Sequence, residues 1–147
     1  MITMVLETEP TTSVAEEAWR LLFELAKRKH SVLVPALAEL DLTPVQGHAL
    51  RLLDPEQPIA MSALADALFC HASNVTGIVD RLEARGLVER QAGREDRRVK
   101  TLALTEAGKR VRSQVVELMR RPPPEIAELS ASDQRALRDV LARALDR

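Results

Sequence analysis

The stretch from Leu87 to Gly108 constrains the fold of this chain more than any other segment. Two short runs rich in apolar and β-branched residues, 87–91 and 99–104, lie on either side of a loop that contains Gly93 and three arginines. Such runs predict a β-hairpin, and the Thr-Glu pair directly after the second run predicts the capped start of a helix. A projecting loop with three arginines is poor core material, but it can contact phosphate groups.

Positive charge is concentrated around this hairpin. The chain has a formal net charge of −1, yet residues 81–112 hold 10 Lys/Arg against 5 Asp/Glu, whereas residues 1–80 hold 5 against 11. A local basic patch attracts a polyanion more effectively than overall charge does. A solvated face is the alternative interpretation of the same charges.

Length and composition predict one helical domain. A chain of 147 residues fits a single domain over 1–147, and with one Trp, two Phe and no Tyr its core must be aliphatic. Neither a secretory signal nor an apolar run of about 18 residues is present. The single cysteine cannot form an internal disulfide. We therefore predict a cytoplasmic protein without membrane attachment.

Apolar residues at spacings of three and four predict helices on both sides of the hairpin. The predicted helices cover residues 14–40, 43–53, 61–69, 72–85, 105–121 and 130–145, and residues 55–60 are expected to form a loop. Two short helices joined by a short turn, as predicted over 61–69 and 72–85, form a helix-turn-helix, whose second helix can enter a major groove.

Three segments together resemble the MarR (multiple antibiotic resistance regulator) family of bacterial winged-helix transcription factors. They are MSALADAL at 61–68, SNVTGIVDRLEARGLVER at 73–90 and DRRVKTLALTEAG at 96–108. The resemblance implies a mainly α (α+β) fold, a winged helix-turn-helix with a two-stranded β-hairpin wing. It also implies that 43–112 is the DNA-binding part and that 13–40 and 113–147 are dimerisation helices.

The resemblance further implies a homodimer that binds a palindromic operator in double-stranded DNA, most often as a repressor that a small-molecule effector releases. The recognition helix of about 72–85 would lie in the major groove and the wing of 92–98 in the minor groove. The chain lacks a phosphate-binding glycine loop, a nucleophile elbow and a metal cluster, so we expect no catalytic residue, metal or cofactor. The alternatives are a winged-helix scaffold for protein interactions and a family member without DNA binding.

Polar residues early in the recognition helix are the candidates for base contact, because Asn can pair bidentately with adenine. In the wing, the family pattern implies that Asp96 orients Arg98 for the minor groove, with a geometry that allows a bidentate pair of side chains. Helix capping is the alternative role of Ser73 and Asn74, and an ordinary surface cation is that of Arg98. The predicted DNA-contacting residues are His71, Ser73, Asn74, Thr76, Gly77, Arg81, Arg94, Asp96, Arg97 and Arg98.

Other residues suit more than one role. Trp19 and Phe23, one helical turn apart, and His48 could line a ligand pocket, and the two aromatic residues could equally serve core or dimer packing. Cys70 invites a redox-sensor role, but its apolar slot in the helix-turn-helix favours a small buried side chain. No Cys/His spacing marks a metal site, although His71 lies beside Cys70.

Departures from the family pattern occur at three places. Phe69 stands where the turn usually has glycine, which implies an altered turn. Gly77 replaces a longer polar side chain, which implies a missing base contact or a close approach of the backbone. The prolines at 122–124 interrupt the C-terminal helical region, which implies an unusual dimer geometry.

Overall fold

The fold was analysed in a computed structural model, which describes residues 12–68, 72–93 and 95–146. The described chain divides into two compact units, one made of Ser31–Pro122 and the other of the residues up to His30 and from Pro123 onward. The elements in chain order are α1 (Val14–Glu39), α2 (Pro44–Leu52), β1 (Ile59–Ala60), α3 (Met61–Ala67), α4 (Ala72–Ala84), β2 (Val88–Ala92), β3 (Lys100–Leu104), α5 (Glu106–Arg120), α6 (Pro124–Ala127) and α7 (Ala131–Leu145).

Side-chain caps define where the predicted helices begin. The Thr43 hydroxyl accepts the Gln46 N–H, and the Gln46 side chain accepts the Thr43 N–H, which forms a capping box with Pro44 at the first helical position. Thr105 caps α5 and Ser130 caps α7 in the same way, each accepting the N–H three residues on. The three predicted caps are confirmed, because a hydroxyl at these positions satisfies an N–H that the helix leaves free.

The sheet contains one strand more than the predicted hairpin. Its order is β1-β3-β2, and both pairings are antiparallel. The hairpin runs from the pair Val88–Leu104 to the pair Ala92–Lys100. The predicted loop over 55–60 is therefore wrong at its end, where the two residues of β1 pair with β3. A strand of two residues is too short to show the alternation by which strands are recognised in sequence.

The proline-rich segment both ends one helix and starts another. α5 ends at Arg120, ahead of the prolines, as predicted. The short helix α6 was not predicted, and it has Pro124 at its first turn with Pro123 as the residue before it. Proline has no N–H to leave unsatisfied there and its fixed φ already suits a helix, so the same residue type can stop and initiate helices.

The core of the Ser31–Pro122 unit is aliphatic, as predicted. α4 contributes Val75, Val79 and Leu82, each about 1% exposed, while Ile78, predicted to lie with them, is only partly buried. Other core side chains come from α1, α2, α3, β3 and α5, and they include Leu37, Leu50, Leu64, Leu102 and Val115. No helix in the described part of the chain combines the length and the apolar character that a membrane crossing requires.

A close contact between α5 and the start of β2 holds this unit together. The Thr105 hydroxyl donates to the Gly86 carbonyl at 2.5 Å and accepts the Gly108 N–H at 3.0 Å. The Thr105 N–H donates to the Leu87 carbonyl at 3.1 Å. A Cβ atom at Gly108 would lie 1.8 Å from that same carbonyl oxygen, so only glycine fits. The Leu-Thr-x-x-Gly pattern is thus a packing requirement.

Gly108→Ala should lower the free energy of unfolding by about 3 kcal/mol, because the added methyl group forces α5 away from the backbone at Leu87. Gly77→Ala is the matched control, since no atom lies within 4 Å of the Cβ position at this other helical glycine. That control should gain up to about 1 kcal/mol from helix propensity. Urea unfolding measures both, and equal stabilities of the two variants would contradict the close contact.

Candidate nucleic-acid interface

The helix predicted to read DNA has a polar face opposite its buried one. Asn74, Thr76, Gly77 and Arg81 of α4 are all exposed. The open space around Gly77 leaves the backbone of α4 accessible on this face. His71 and the side chain of Ser73, also predicted to contact DNA, lie outside the described residues, as do Phe69 and Cys70. The described part of α4 therefore presents donors and acceptors to a partner.

Arg90, in strand β2 of the wing hairpin, connects this hairpin to α4. Its guanidinium donates to the Asp80 carboxylate at 2.5 Å and to the Glu83 carboxylate at 2.7 Å, one turn apart on α4. Glu83 also accepts the main-chain N–H of Arg90 at 3.0 Å. The hydrogen bond to Asp80 and, less strongly, that to Glu83 raise the pKa of Arg90. The end of α4 and strand β2 are therefore joined through charged hydrogen bonds.

The role of Arg90 was not predicted, although two acidic residues of α4 indicate that a cation lies nearby. Asp80 and Glu83 lie on a helix that was predicted to approach phosphates, where two carboxylates are unfavourable. Acids at such a place indicate a cation that neutralises them. The partner could not be read from periodicity, because it lies on the following strand.

The wing loop is shaped by main-chain hydrogen bonds. The Gly93 N–H donates to the Val99 carbonyl at 2.8 Å, and the Val99 N–H donates to the Asp96 carbonyl at 3.1 Å. The Asp96 carboxylate accepts the main-chain N–H of Arg98 at 2.9 Å. A Cβ atom at Gly93 would lie 2.6 Å from the Asp96 carbonyl oxygen, so the loop closes tightly around this glycine.

The expected bidentate pair between the side chains of Asp96 and Arg98 is wrong for this structure. At a spacing of two residues the short aspartate side chain reaches the backbone N–H, which is the geometry of an Asx turn. Among the described residues, neither Arg97 nor Arg98 forms an ion pair, and Arg94 lies outside them. Asp96 consequently supports the backbone of the wing and leaves the guanidinium groups exposed.

The three residues predicted to line a ligand pocket fall in the two different units. Trp19 and Phe23 belong to the unit that includes α7, and their side chains are 67% and 58% exposed. His48 belongs to the Ser31–Pro122 unit, where it lines a groove of about 640 Å³. The other residues that line this groove are Leu33, Arg51, Arg112, Val116, Met119 and Arg120.

The surroundings of His48 favour the neutral form of its imidazole. An Nη atom of Arg51 lies 3.3 Å from Nδ1, and because arginine can only donate, Nδ1 accepts. Burial lowers the pKa of His48, and the charge of Arg51 lowers it further. Arg112 lies on the same groove with its guanidinium donating to the carbonyls of Leu53 and Arg51, at 2.7 and 3.3 Å.

Known proteins identify the family of this chain. Residues 42–100 match the MarR family. Over 109 residues the chain is 32% identical to the HTH-type transcriptional regulator YfiV of Bacillus subtilis (strain 168), covering 74% of this chain and 68% of YfiV. This chain belongs to the MarR family. The crystal structure of wild-type MarR from E. coli, in its apo form, matches it with a TM-score of 0.74 and 26% identity, over 86% of this chain and 95% of that one.

A second solved structure shares the fold at lower identity. A point mutant of S. aureus MepR, bound to an oligodeoxyribonucleotide, matches with a TM-score of 0.64 and 21% identity, over 88% of this chain and 96% of that chain. The predicted family and the predicted winged-helix fold are confirmed. MarR proteins are DNA-binding regulators of transcription and not enzymes, so the expectation of a regulator is also confirmed.

Proposed function

We propose that this MarR protein is a homodimeric repressor that binds a palindromic operator and leaves it when a small molecule binds. The observation that carries the proposal is the exposed polar face of α4, which Arg90 fixes to a wing with exposed arginines. A helix and a loop fixed to each other can read one site together.

In this proposal α4 lies in the major groove, where Asn74 pairs with adenine and Arg81 reaches a base edge or a phosphate. Ser73, Thr76, Gly77 and His71 approach the same groove or its phosphates. Wing residues Arg94, Arg97 and Arg98 reach the flanking minor groove and its phosphates, and Asp96 shapes the loop that carries them. A MepR mutant that shares this fold is bound to an oligodeoxyribonucleotide, which supports DNA as the ligand of this chain.

Selection of bound duplexes from random DNA tests the function directly. We expect a palindrome with half-sites about one helical turn apart and an affinity that falls steeply with salt. If no sequence is enriched, the chain acts instead as a protein-interaction scaffold or as a family member without DNA binding.

We propose that a second copy of the chain packs against the apolar surface of the unit that contains α7. Trp19, Leu22 and Phe23 of α1 and Val140 and Leu145 of α7 are all exposed large apolar side chains. So many apolar groups on two helices are typical of an interface. Two-fold symmetry would pair this surface with itself and present two copies of α4 to one duplex.

The groove beside His48 is the proposed effector site, and its chemistry favours an apolar anion. Leu33, Val116 and Met119 supply apolar contacts. Arg120 is paired with Glu117 at 2.8 Å, which leaves Arg51, beside His48, as the cation for a carboxylate. Trp19 and Phe23, predicted to line a pocket, are assigned here to the dimer surface.

Arg98→Ala should weaken binding of the selected duplex by about 1 to 3 kcal/mol, because it removes a groove contact. Arg138→Ala, which removes an exposed arginine of α7 beside Asp139, is the control and should bind as wild type does. Fluorescence anisotropy at fixed salt measures both affinities. Wild-type affinity of the Arg98 variant for the selected palindrome would refute the wing assignment.

Trp19→Lys should shift the protein from dimer to monomer, because it places a charge on the proposed apolar interface. Val45→Lys, a similar change at a partly exposed valine of α2, should leave the dimer intact. Sedimentation at micromolar concentration distinguishes the two states. A Trp19 variant that remains fully dimeric would argue against this interface.

Benzoate should bind the effector groove and its neutral analogue benzamide should not. Arg51→Gln should weaken benzoate binding about tenfold, the effect of one charged hydrogen bond. Arg110→Gln, at an exposed arginine of α5 that does not line the groove, should leave the affinity unchanged. A bound anion favours protonated His48 and raises its pKa from the lowered value of the free protein. Affinity measured by calorimetry should therefore rise as pH falls through this pKa, and equal binding of benzamide would exclude an anion site.

A further inference from the structure

The C-terminal end of α1 leaves two carbonyl groups without partners inside the helix. The Leu42 N–H donates to the Leu37 carbonyl at 3.0 Å, and the Asp41 N–H donates to the Ala38 carbonyl at 2.9 Å. Asp41 has a φ of 55°, the left-handed conformation that ends a helix in this way. The carbonyls of Leu40 and Asp41 therefore face outward and need other donors.

Arg85, which directly follows α4, supplies those donors. One Nη atom donates to the Leu40 carbonyl at 3.0 Å and the other to the Asp41 carbonyl at 2.5 Å. Its Nε lies 3.7 Å from the Asp41 carboxylate. A cation at a helix C-terminus is also favoured by the helix dipole. One guanidinium thus caps α1 from the end of α4, across more than forty residues of sequence.

This arrangement separates Arg85 from Arg97 and Arg98, the exposed arginines of the wing. Its side chain is 32% exposed and both of its Nη atoms are engaged with main-chain carbonyls. A phosphate contact would have to compete with those two hydrogen bonds. Gly86, with a φ of 68°, then turns the chain from α4 towards β2, where Arg90 forms the second attachment of α4.

We propose that Arg85 is a positioning residue for DNA recognition, which sets the orientation of α4 by fastening its C-terminal end to the C-terminal end of α1. The proposal rests on the proposed function of α4 as the recognition helix. Arg90 fixes the same helix to the wing, so two arginines attach α4 to two different elements. A shift at the end of α1 is then transmitted to the residues that read DNA.

Arg85→Lys tests the proposal, because lysine keeps the charge and cannot donate from a planar fork to two carbonyls. Arg138→Lys is the control, since Arg138 is an exposed arginine of α7 that pairs with Asp139 and belongs to a different unit from α4. Without added effector, the Arg85 variant should bind the selected duplex about tenfold more weakly. Its affinity for a scrambled duplex and the salt slope should not change, and the Arg138 variant should bind the selected duplex as wild type does.

A double-mutant cycle separates positioning from direct contact. If Arg85 orients α4, Asn74→Ala should cost at least about threefold less affinity in the Arg85→Lys background than in wild type. Strictly additive losses, or equal weakening on both duplexes with a smaller salt slope, would identify a phosphate contact and overturn the proposal. Failure of wild type to prefer the selected duplex would instead refute the proposed function.

Hydrogen exchange in the free protein gives a readout that needs no DNA. The amides from Leu82 to Gly86 should exchange faster in Arg85→Lys than in wild type, because the end of α4 loses its attachment. The Arg138→Lys control should leave the exchange of those amides unchanged. Unchanged exchange in the Arg85 variant, or the same increase in both variants, would overturn the attachment.

Discussion

The contact between the first turn of α5 and the Leu87 carbonyl is the constraint on which the Ser31–Pro122 unit depends. Thr105 joins two chain segments there, since its hydroxyl bonds to Gly86 and to Gly108 of its own helix turn and its N–H bonds to Leu87. This contact fixes where the chain leaves α4 and where the hairpin returns to α5. Because the backbones meet without an intervening side chain, no rearrangement of rotamers could replace glycine at Gly108.

Arginine side chains connect neighbouring elements of this unit through hydrogen bonds. Arg85 caps α1, Arg112 caps α2, and Arg90 holds two carboxylates of α4. Short helices expose a large fraction of their backbone groups at their ends, so an aliphatic core alone would leave these groups to water. The guanidinium fork suits this task because it reaches two acceptors from one side chain. Part of the basic charge of residues 81–112 is therefore structural.

The sequence predicted the elements whose signals are local, and it failed where structure depends on distant partners. Caps such as Thr43 and Thr105 and the buried face of α4 follow from residue spacing, and the combined motifs identified the family. β1 was not predicted, because its two residues form a strand only through their pairing with β3. The hydrogen bonds of Arg85 and Arg90 were not predicted either, because their partners lie on other elements. Only the fold brings those elements close together.

The geometry predicted for Asp96 differs from the one that the structure shows. The family pattern identified an acid near Arg98, and the structure places its carboxylate on the backbone of the loop. The wing thus combines a main chain shaped by hydrogen bonds with the exposed side chains of Arg97 and Arg98. Exposed arginine side chains can adapt to DNA grooves of different width, but they lose conformational entropy when they become ordered on contact. Such a wing would tolerate varied sequence beside an operator, and most of the discrimination between sites would fall to α4.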